Sequence, residues 1–406
     1  MKLNKFVQPW HEFWYAPQSP VTLALFRIVF GLLVIEFSIL IAPELMTWYG
    51  SQGVISQATA NSFLYPYSIR LLALFPDNDK YLSGFFAVFV MAACSITLGL
   101  FSRTSAMVIF LGLASFHHRD SLNFNSGDVL LKLNAFYLMF SHCGEALSLD
   151  RLRKIWFASA PEIGPARARR PWAQRLMQLQ LAAVYCHAFW SKTVGITWRS
   201  GIAIYIVLRD TEFVRFPIDF VRDNLWCCRL LSWGTLVIEF SSWTLIWIKK
   251  LRYYVLFGLL SLHLGIEYTM NLALFQWVMM ANLILFIEPE DLSLLMQKIK
   301  VRLAKSYNNP VPVYFALHTD RGLRLAETFR RLDIFGRLNI VDSGEIEQLR
   351  PDSQAACKII LAHGSGWIHG LPAATRGIAT IAASWITAPA LLLLPQPKGG
   401  KTNEPH

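Results

Sequence analysis

Lys192 closes an apolar and aromatic run in CHAFWSKTVGITWRSG, residues 186–201. Held among Phe189, Trp190 and Trp198, its ammonium is in surroundings that disfavour the charged form, and a neutral amine can take a proton from a substrate. A second reading stands beside this one: a lysine at a membrane interface extends its charge to water next to a belt of tryptophans. His263 and Glu267 are four residues apart and share a helix face, where they could relay a proton, grip a metal or form a buried hydrogen-bonded pair. In HHRDSLNFNSGD (117–128), His117, His118 and Asp120 read either as metal ligands or as the exposed rim of a loop. Asn123, Asn125 and Asp128 suit either substrate orientation or the N-cap of a following helix. Glu239 lies in an apolar stretch and needs a partner; Arg27, another charge in such a stretch, is the expected one. The six cysteines form no C-x-x-C pair and no metal-ligand spacing, so neither a metal site nor a disulfide framework is expected. The adjacent Cys227 and Cys228 read as apolar filler.

The elements that must position these residues are apolar. The 406 residues are 54% hydrophobic and 16% charged, and the mean hydropathy is +0.37, which places the chain in the membrane class. Stretches 82–100 and 272–287 carry no charge, and 21–42 carries only Arg27 and Glu36. Each is close to the roughly 17–25 residues that cross a bilayer as a helix. The first is too long for a cleaved signal and leads into another spanning pattern, so it reads as a permanent anchor.

The net charge of +11 does not point to nucleic acid, because the basic residues sit in loops between apolar runs. RLRK (151–154), PARARRPWAQR (165–175), KKLR (249–252) and the stretch from Lys298 to Lys305 carry most of it. Loops rich in Lys and Arg stay cytoplasmic. Eight crossings put them all on one side: about 21–42, 82–100, 104–117, 128–147, 176–191, 230–248, 253–270 and 272–287. Both termini are then cytoplasmic. WYGSQG (48–53), the 117–128 segment, Lys192 and the turn beyond His263 gather at the outer face. Residues 199–228 are too polar to cross, and 201–208 could dip into the interface.

Four ordered motifs carry a family resemblance: LALFRIVFGLLVIE (23–36), NFNSGDVLLKLNAFYLMF (123–140) closing on ALSLD (146–150), SKTVGITWRSGIAIY (191–205) and HLGIEYTMNLALFQWVMMANLILF (263–286). Together they resemble the HTTM family, the multi-pass domain shared by vitamin K-dependent gamma-carboxylases and many bacterial proteins. In those carboxylases a lysine just before a D/G-x-x-W-x-x-G stretch is held to deprotonate reduced vitamin K. The resemblance places that role on Lys192, followed here by Gly195, Trp198 and Gly201. It implies a reduced quinone as cofactor and a bacterial inner-membrane location. Nothing after residue 290 resembles the large lumenal domain of the animal carboxylases, so the substrate is left open.

From Val311 the texture changes to short alternating elements: VPVYF, a helix pattern in RGLRLAETFRRLDIF, then RLNIVD, a hairpin pattern CKIILAHGSGWIHG and a helix from Leu371. The expected architecture is an all-α polytopic membrane protein of about eight transmembrane helices with a small C-terminal α/β thioredoxin-like domain. Its parts are a membrane domain 1–290, a linker 291–310, a domain 311–395 and a disordered tail 396–406. The small domain resembles the DCC family, whose pattern is a strand, D-G-D-C-x-x-C, a helix and R-L-D-W-F-G-R-L. VPVYF and RRLDIFGRLNIVD match, but ALHTDRG puts Thr319 and Gly322 where the two cysteines would be. Without a thiolate to attack and another to resolve, the tail reads as a redox-inactive docking or packing module. The apolar run 378–395 contains Pro389 and reads as non-spanning.

Three functions follow. The first is a membrane enzyme acting on a lipid-soluble or peptide substrate at the outer face, with Lys192 as base. The second is a non-catalytic accessory that matures a membrane or peptide partner, and the third is a transporter.

Overall fold

The computed structural model describes residues 7–62, 69–120, 125–158, 163–306, 311–342, 360–363, 366–369 and 378–383. The chain forms two compact units, one of residues 1–150 with 166–289 and one of 151–165 with 290–406. Asn123, Cys357, the helix expected from Leu371, most of the 378–395 run and the 396–406 tail lie outside the described residues.

The first unit is built from eight principal helices. They are α1 (Val21–Ile41), α2 (Asp79–Leu98), α3 (Ser102–Arg119), α4 (Ser126–Phe140), α5 (Trp172–Val194), α6 (Leu225–Thr244), α7 (Lys249–Thr269) and α8 (Phe275–Leu283). One falls in each of the eight apolar stretches of the sequence. Length and apolarity together mark two of these stretches as spans. The stretch Val21–Tyr49, which contains α1, and α2 are long and apolar enough to span a bilayer. By contrast α4 stops at Phe140, and α8 with its closing 3-10 turn spans only Phe275–Phe286. At about 1.5 Å per residue these reach roughly 22 and 18 Å, short of the ~30 Å of hydrocarbon. The apolar character of α8 has another cause: Val278, Met279, Met280, Ala281, Asn282 and Leu283 are all buried, as in a helix enclosed by its neighbours.

Helices adjacent in the chain pack together, α1 on α2, α3 on α4 and α5 on α6. Phe116 of α3 sits at one centre of the packing. The rings of Tyr49, Phe85 and Phe89 meet it edge-on at centroid distances of 5.0, 5.5 and 5.5 Å, the geometry the ring quadrupole favours. The segment after α4 fastens two other motifs. Arg27, completely buried in α1, donates to the Cys143 carbonyl at 3.1 Å and the Leu147 carbonyl at 2.6 Å. The Asp150 carboxylate accepts from the backbone N–H groups of Phe101 and Ser102 and from the Ser102 hydroxyl, at 2.8–2.9 Å, and so caps α3 from a distance. The expected Arg27–Glu239 pair is therefore not formed. The irregular 141–148 segment offers backbone oxygens beside Arg27, and these take up its guanidinium.

In the second unit, helix α9 (Pro289–Ser306) occupies much of the stretch read as a linker. Strand β1 (Val311–Phe315), helix α10 (Asp320–Leu332) and strand β2 (Leu338–Asp342) form a parallel β-α-β unit, and β3 (Ile360–His363) with β4 (Gly366–His369) forms the expected hairpin. The order across the sheet is β2-β1-β3-β4. Val313, Phe315, Ala326, Phe329 and Leu338 bury one core between strands and helix. Thr319 caps α10, its hydroxyl accepting from the Gly322 N–H at 3.0 Å. A Cβ on Gly322 would lie 1.9 Å from the Ala316 carbonyl oxygen, so this turn leaves no room for any other residue.

Candidate active site

Lys192 and Glu239 meet. The Lys192 ammonium donates to Glu239 Oε1 at 2.6 Å, with the lysine side chain 24% exposed and the glutamate side chain 7%. Each residue is a charge in an apolar stretch that needs a partner, and one contact serves both. A buried charge is tolerated when it is paired and hydrogen-bonded. The Trp198 ring lies 5.3 Å from Lys192 Nζ, within cation–π range. Phe189 packs instead on Trp190 and Phe240, and Trp190 is exposed. The amine is thus matched by a carboxylate and one ring, rather than held bare among three aromatics. Glu239 Oε2 is buried and has no hydrogen-bond partner among the described residues.

Next to this pair runs a line of neutral groups. Tyr185 stands two turns before Lys192 on α5, and its hydroxyl meets His263 Nε2 at 2.6 Å. His263 Nδ1 in turn meets Gln276 Oε1. All three are buried. Tyr185 shares α5 with Lys192, and its ring lies 6.0 Å from that of His263. Four helices, α5 to α8, contribute the pair and this line.

His263 and Glu267 do not pair as expected. His263 faces the interior, while Glu267 is drawn to Arg215, which donates to its Oε1 at 2.9 Å and to Asn271 Oδ1 at 3.2 Å. The polar 199–228 segment supplies that arginine and is itself tied to the end of α7 by the Arg215 N–H to Thr269 carbonyl bond, 2.8 Å. With a cation close to one end of the i, i+4 spacing and a tyrosine at the other, the two side chains serve different partners.

The turn after Lys192 explains how α5 and α6 come into register. Gly195 ends α5, a short helix Ile196–Arg199 follows, and Gly201 takes φ +78°. A Cβ on Gly201 would lie 2.8 Å from Arg229 Cγ and 3.1 Å from Arg229 Cα, so the chain touches α6 where only glycine fits. The Trp233 indole N–H donates to the Arg199 carbonyl at 3.1 Å, and Ser232 Oγ accepts from the Ile204 N–H at 3.2 Å. The Arg199–Trp233 and Lys192–Glu239 contacts run antiparallel, the earlier residue of the first stretch of chain meeting the later one of α6. The antiparallel register that results sets Lys192 opposite Glu239.

Residues 15–290 match the HTTM domain, which is more than half of the chain. The chain belongs to the HTTM family. No solved structure matches it. The HTTM region includes Lys192, Glu239, Tyr185, His263, Gln276 and the Gly195-Trp198-Gly201 turn, so the whole proton-bearing cluster is built from family elements.

Other predicted site residues of this HTTM chain have structural duties. Asn125 and Asp128 form a capping box on α4: the Asn125 side chain accepts from the N–H groups of Gly127 and Asp128 at 2.7 and 3.3 Å, and Asp128 Oδ2 accepts from the Asn125 N–H at 2.8 Å. The supposed exposed rim is also not one. His117 and Asp120 are buried, because α3 continues to Arg119, and His118 Nδ1 meets the Ile69 carbonyl at 2.7 Å. Arg119 donates to the carbonyls of Ile55 and Gly50 at 2.7 and 3.0 Å. Among the described residues no three His, Cys, Asp or Glu side chains group as metal ligands would, and the five described cysteines are all free thiols. Sequence reasoning missed Tyr185 and Gln276. Their signal was present as polar residues on otherwise apolar helix faces.

A groove of about 1110 Å³ lies elsewhere, along the short helix Val7–Tyr15, and it and three smaller cavities are lined by neither Lys192 nor Glu239.

Proposed function

We propose that this HTTM chain is a multi-pass membrane enzyme that removes a proton from a lipid-soluble or peptide substrate, with Lys192 as the base and Glu239 as its proton partner. The 2.6 Å contact between the two carries the reading. Ionisable residues deep in apolar helices are held in pairs and mark working sites. Transfer of one proton from the ammonium to the carboxylate leaves a neutral amine beside a neutral acid, a form that a poorly solvated site favours. The amine then takes the substrate proton. The products are an ammonium, a carboxylic acid and a substrate anion, and the new ammonium stabilises that anion.

The membrane setting rests on more than the two spanning helices. Leu230 and Val237 on α6, and Tyr254 and Phe257 on α7, are each at least 65% exposed, which suits hydrocarbon and is unfavourable in water. The basic loops support cytoplasmic termini in a bacterial inner membrane. A reduced quinone, implied by the family resemblance, supplies an acidic hydroxyl when bound. The unpartnered Glu239 Oε2 and the Lys192 amine are the groups here that would hold it.

The test is a pair of substitutions assayed in whatever phenotype deletion of the protein produces. Lys192→Met keeps the apolar stem, and Lys192→Arg keeps the charge but stays protonated at any accessible pH. Both are expected to lose about 10²–10⁴-fold in activity, as for loss of a general base. Full activity in Lys192→Arg sinks the catalytic reading and leaves the lysine as an interfacial anchor.

The accessory reading draws support from the tail. A parallel β-α-β unit extended by an antiparallel hairpin agrees with a thioredoxin-like, DCC-related module. Thr319 and Gly322 hold the turn in place of two cysteines. A module of that shape without thiols is suited to docking a partner protein.

A further inference from the structure

We infer that the groove along Val7–Tyr15 is a binding site for the headgroup and upper acyl chains of an anionic phospholipid; this rests on the membrane reading above. Val7, Trp10, His11 and Trp14 line one side of the groove. Their i, i+3, i+4, i+7 spacing places them on one helix face, and no residue of this helix is buried. Trp10 is 61% exposed. A short helix that shows two tryptophans and a valine to the outside has the composition of an interfacial element. Arg169 and Arg170 stand across the groove.

The two walls are fixed to each other. Gln18 and Arg169 exchange both backbone hydrogen bonds at 2.8 Å, which sets the arginines beside the end of the helix. Arg175 of α5 donates to the Phe13 carbonyl at 3.1 Å and lies 4.8 Å from the Phe13 ring centroid, bolting the helix to the bundle. Arg169 pairs with Glu145 at 3.2 Å, yet its Nε is buried with no hydrogen-bond partner among the described residues. Among the described residues the Arg170 guanidinium has no carboxylate partner, and it lies 5.9 Å from the Tyr15 ring centroid.

Among the described residues the groove therefore offers a guanidinium without a carboxylate, next to a wall of tryptophan. Phosphate oxygens match the guanidinium donors, and acyl chains match the indole faces. Position agrees as well. The N-terminal segment and the 165–175 loop are among the parts that charge asymmetry puts on the cytoplasmic side, where basic pockets meet anionic headgroups. A soluble phosphate compound would use the arginines but not the apolar wall.

The test uses the full chain purified in detergent, with phosphatidylglycerol, phosphatidylcholine and glycerol 3-phosphate as probes and native mass spectrometry as readout. Phosphatidylglycerol is expected to be retained over phosphatidylcholine. Arg170→Gln is expected to weaken its retention about fivefold, the effect of one interfacial arginine. Trp10→Ala weakens it further, whereas Arg170→Lys keeps the charge and most of the binding; its unchanged thermal midpoint controls for folding. Equal retention of the two lipids, or no effect of Arg170→Gln, overturns the inference. Full competition by glycerol 3-phosphate overturns it too, and assigns the groove to a soluble phosphate. Alkaline carbonate washing of cell membranes separates the two levels of argument. A chain released by the wash removes the membrane reading together with the lipid site, and a chain that stays but shows no lipid preference removes only the site.

Discussion

At the scale of single residues, the proposed chemistry needs Lys192 and Glu239 side by side, with one carboxylate oxygen unpartnered among the described residues. Exchanging the two charges, Lys192→Glu with Glu239→Lys, is expected to restore the expression and thermal midpoint that Glu239→Gln alone lowers, because the double variant again pairs opposite charges. Activity stays absent, since the amine now sits on the wrong helix. Removing one member leaves a buried charge unmatched, at a cost of about 3–5 kcal/mol. Thermal unfolding in detergent and the activity assay, read together, distinguish this from a structural ion pair, for which the swap would recover both. Lys192 was legible in the sequence from an ionisable residue in an apolar run and from the turn that follows it. Its partner was not. Apolar stretches declare that a charge needs company, but only the register of two helices says which charge is near, and Arg27 was equally eligible until the backbone oxygens at Cys143 and Leu147 were in place.

At the scale of elements, the Gly195–Gly201 turn and the 141–150 segment do the aligning. Gly201→Ala meets both a left-handed backbone and Arg229 of α6. The strain alone costs about 1–2 kcal/mol, and the turn must move away from α6. A shift near 1 Å at Lys192 is expected to lower activity about 10²-fold, with the midpoint reduced by only a few degrees; an activity loss no larger than the loss of folded protein would refute the aligning role. Asp150→Ala removes three hydrogen bonds from the start of α3 and is expected to cost about 1–2 kcal/mol, measured by thermal unfolding, without a specific effect on turnover. The ALSLD and LALFRIVF motifs could be recognised in sequence, but not that Arg27 of one donates to Leu147 of the other. Such contacts run from a side chain to a carbonyl, and a carbonyl has no letter of its own.

At the scale of the whole molecule, helix positions followed from apolar periodicity, whereas the crossing count did not, because an enclosed helix such as α8 is as apolar as one in lipid. Reporter fusions after Gly53, Pro165 and Lys305 check the topology: an outside signal at the first and inside signals at the other two are expected, and an outside signal at Pro165 would reverse the orientation. The small sheet was readable from strand and hairpin patterns, and the lack of a C-x-x-C pair from the letters at 319 and 322. The letters alone did not show how firmly that turn is held. Gly322 packs against the Ala316 carbonyl with no space for a Cβ, so any side chain at 322 would have to push the backbone apart, and a cysteine at 319 would forfeit the hydroxyl that caps α10. Packing at 322 and capping at 319 thus close this turn to substitution, so the module is constrained here by shape rather than by chemistry.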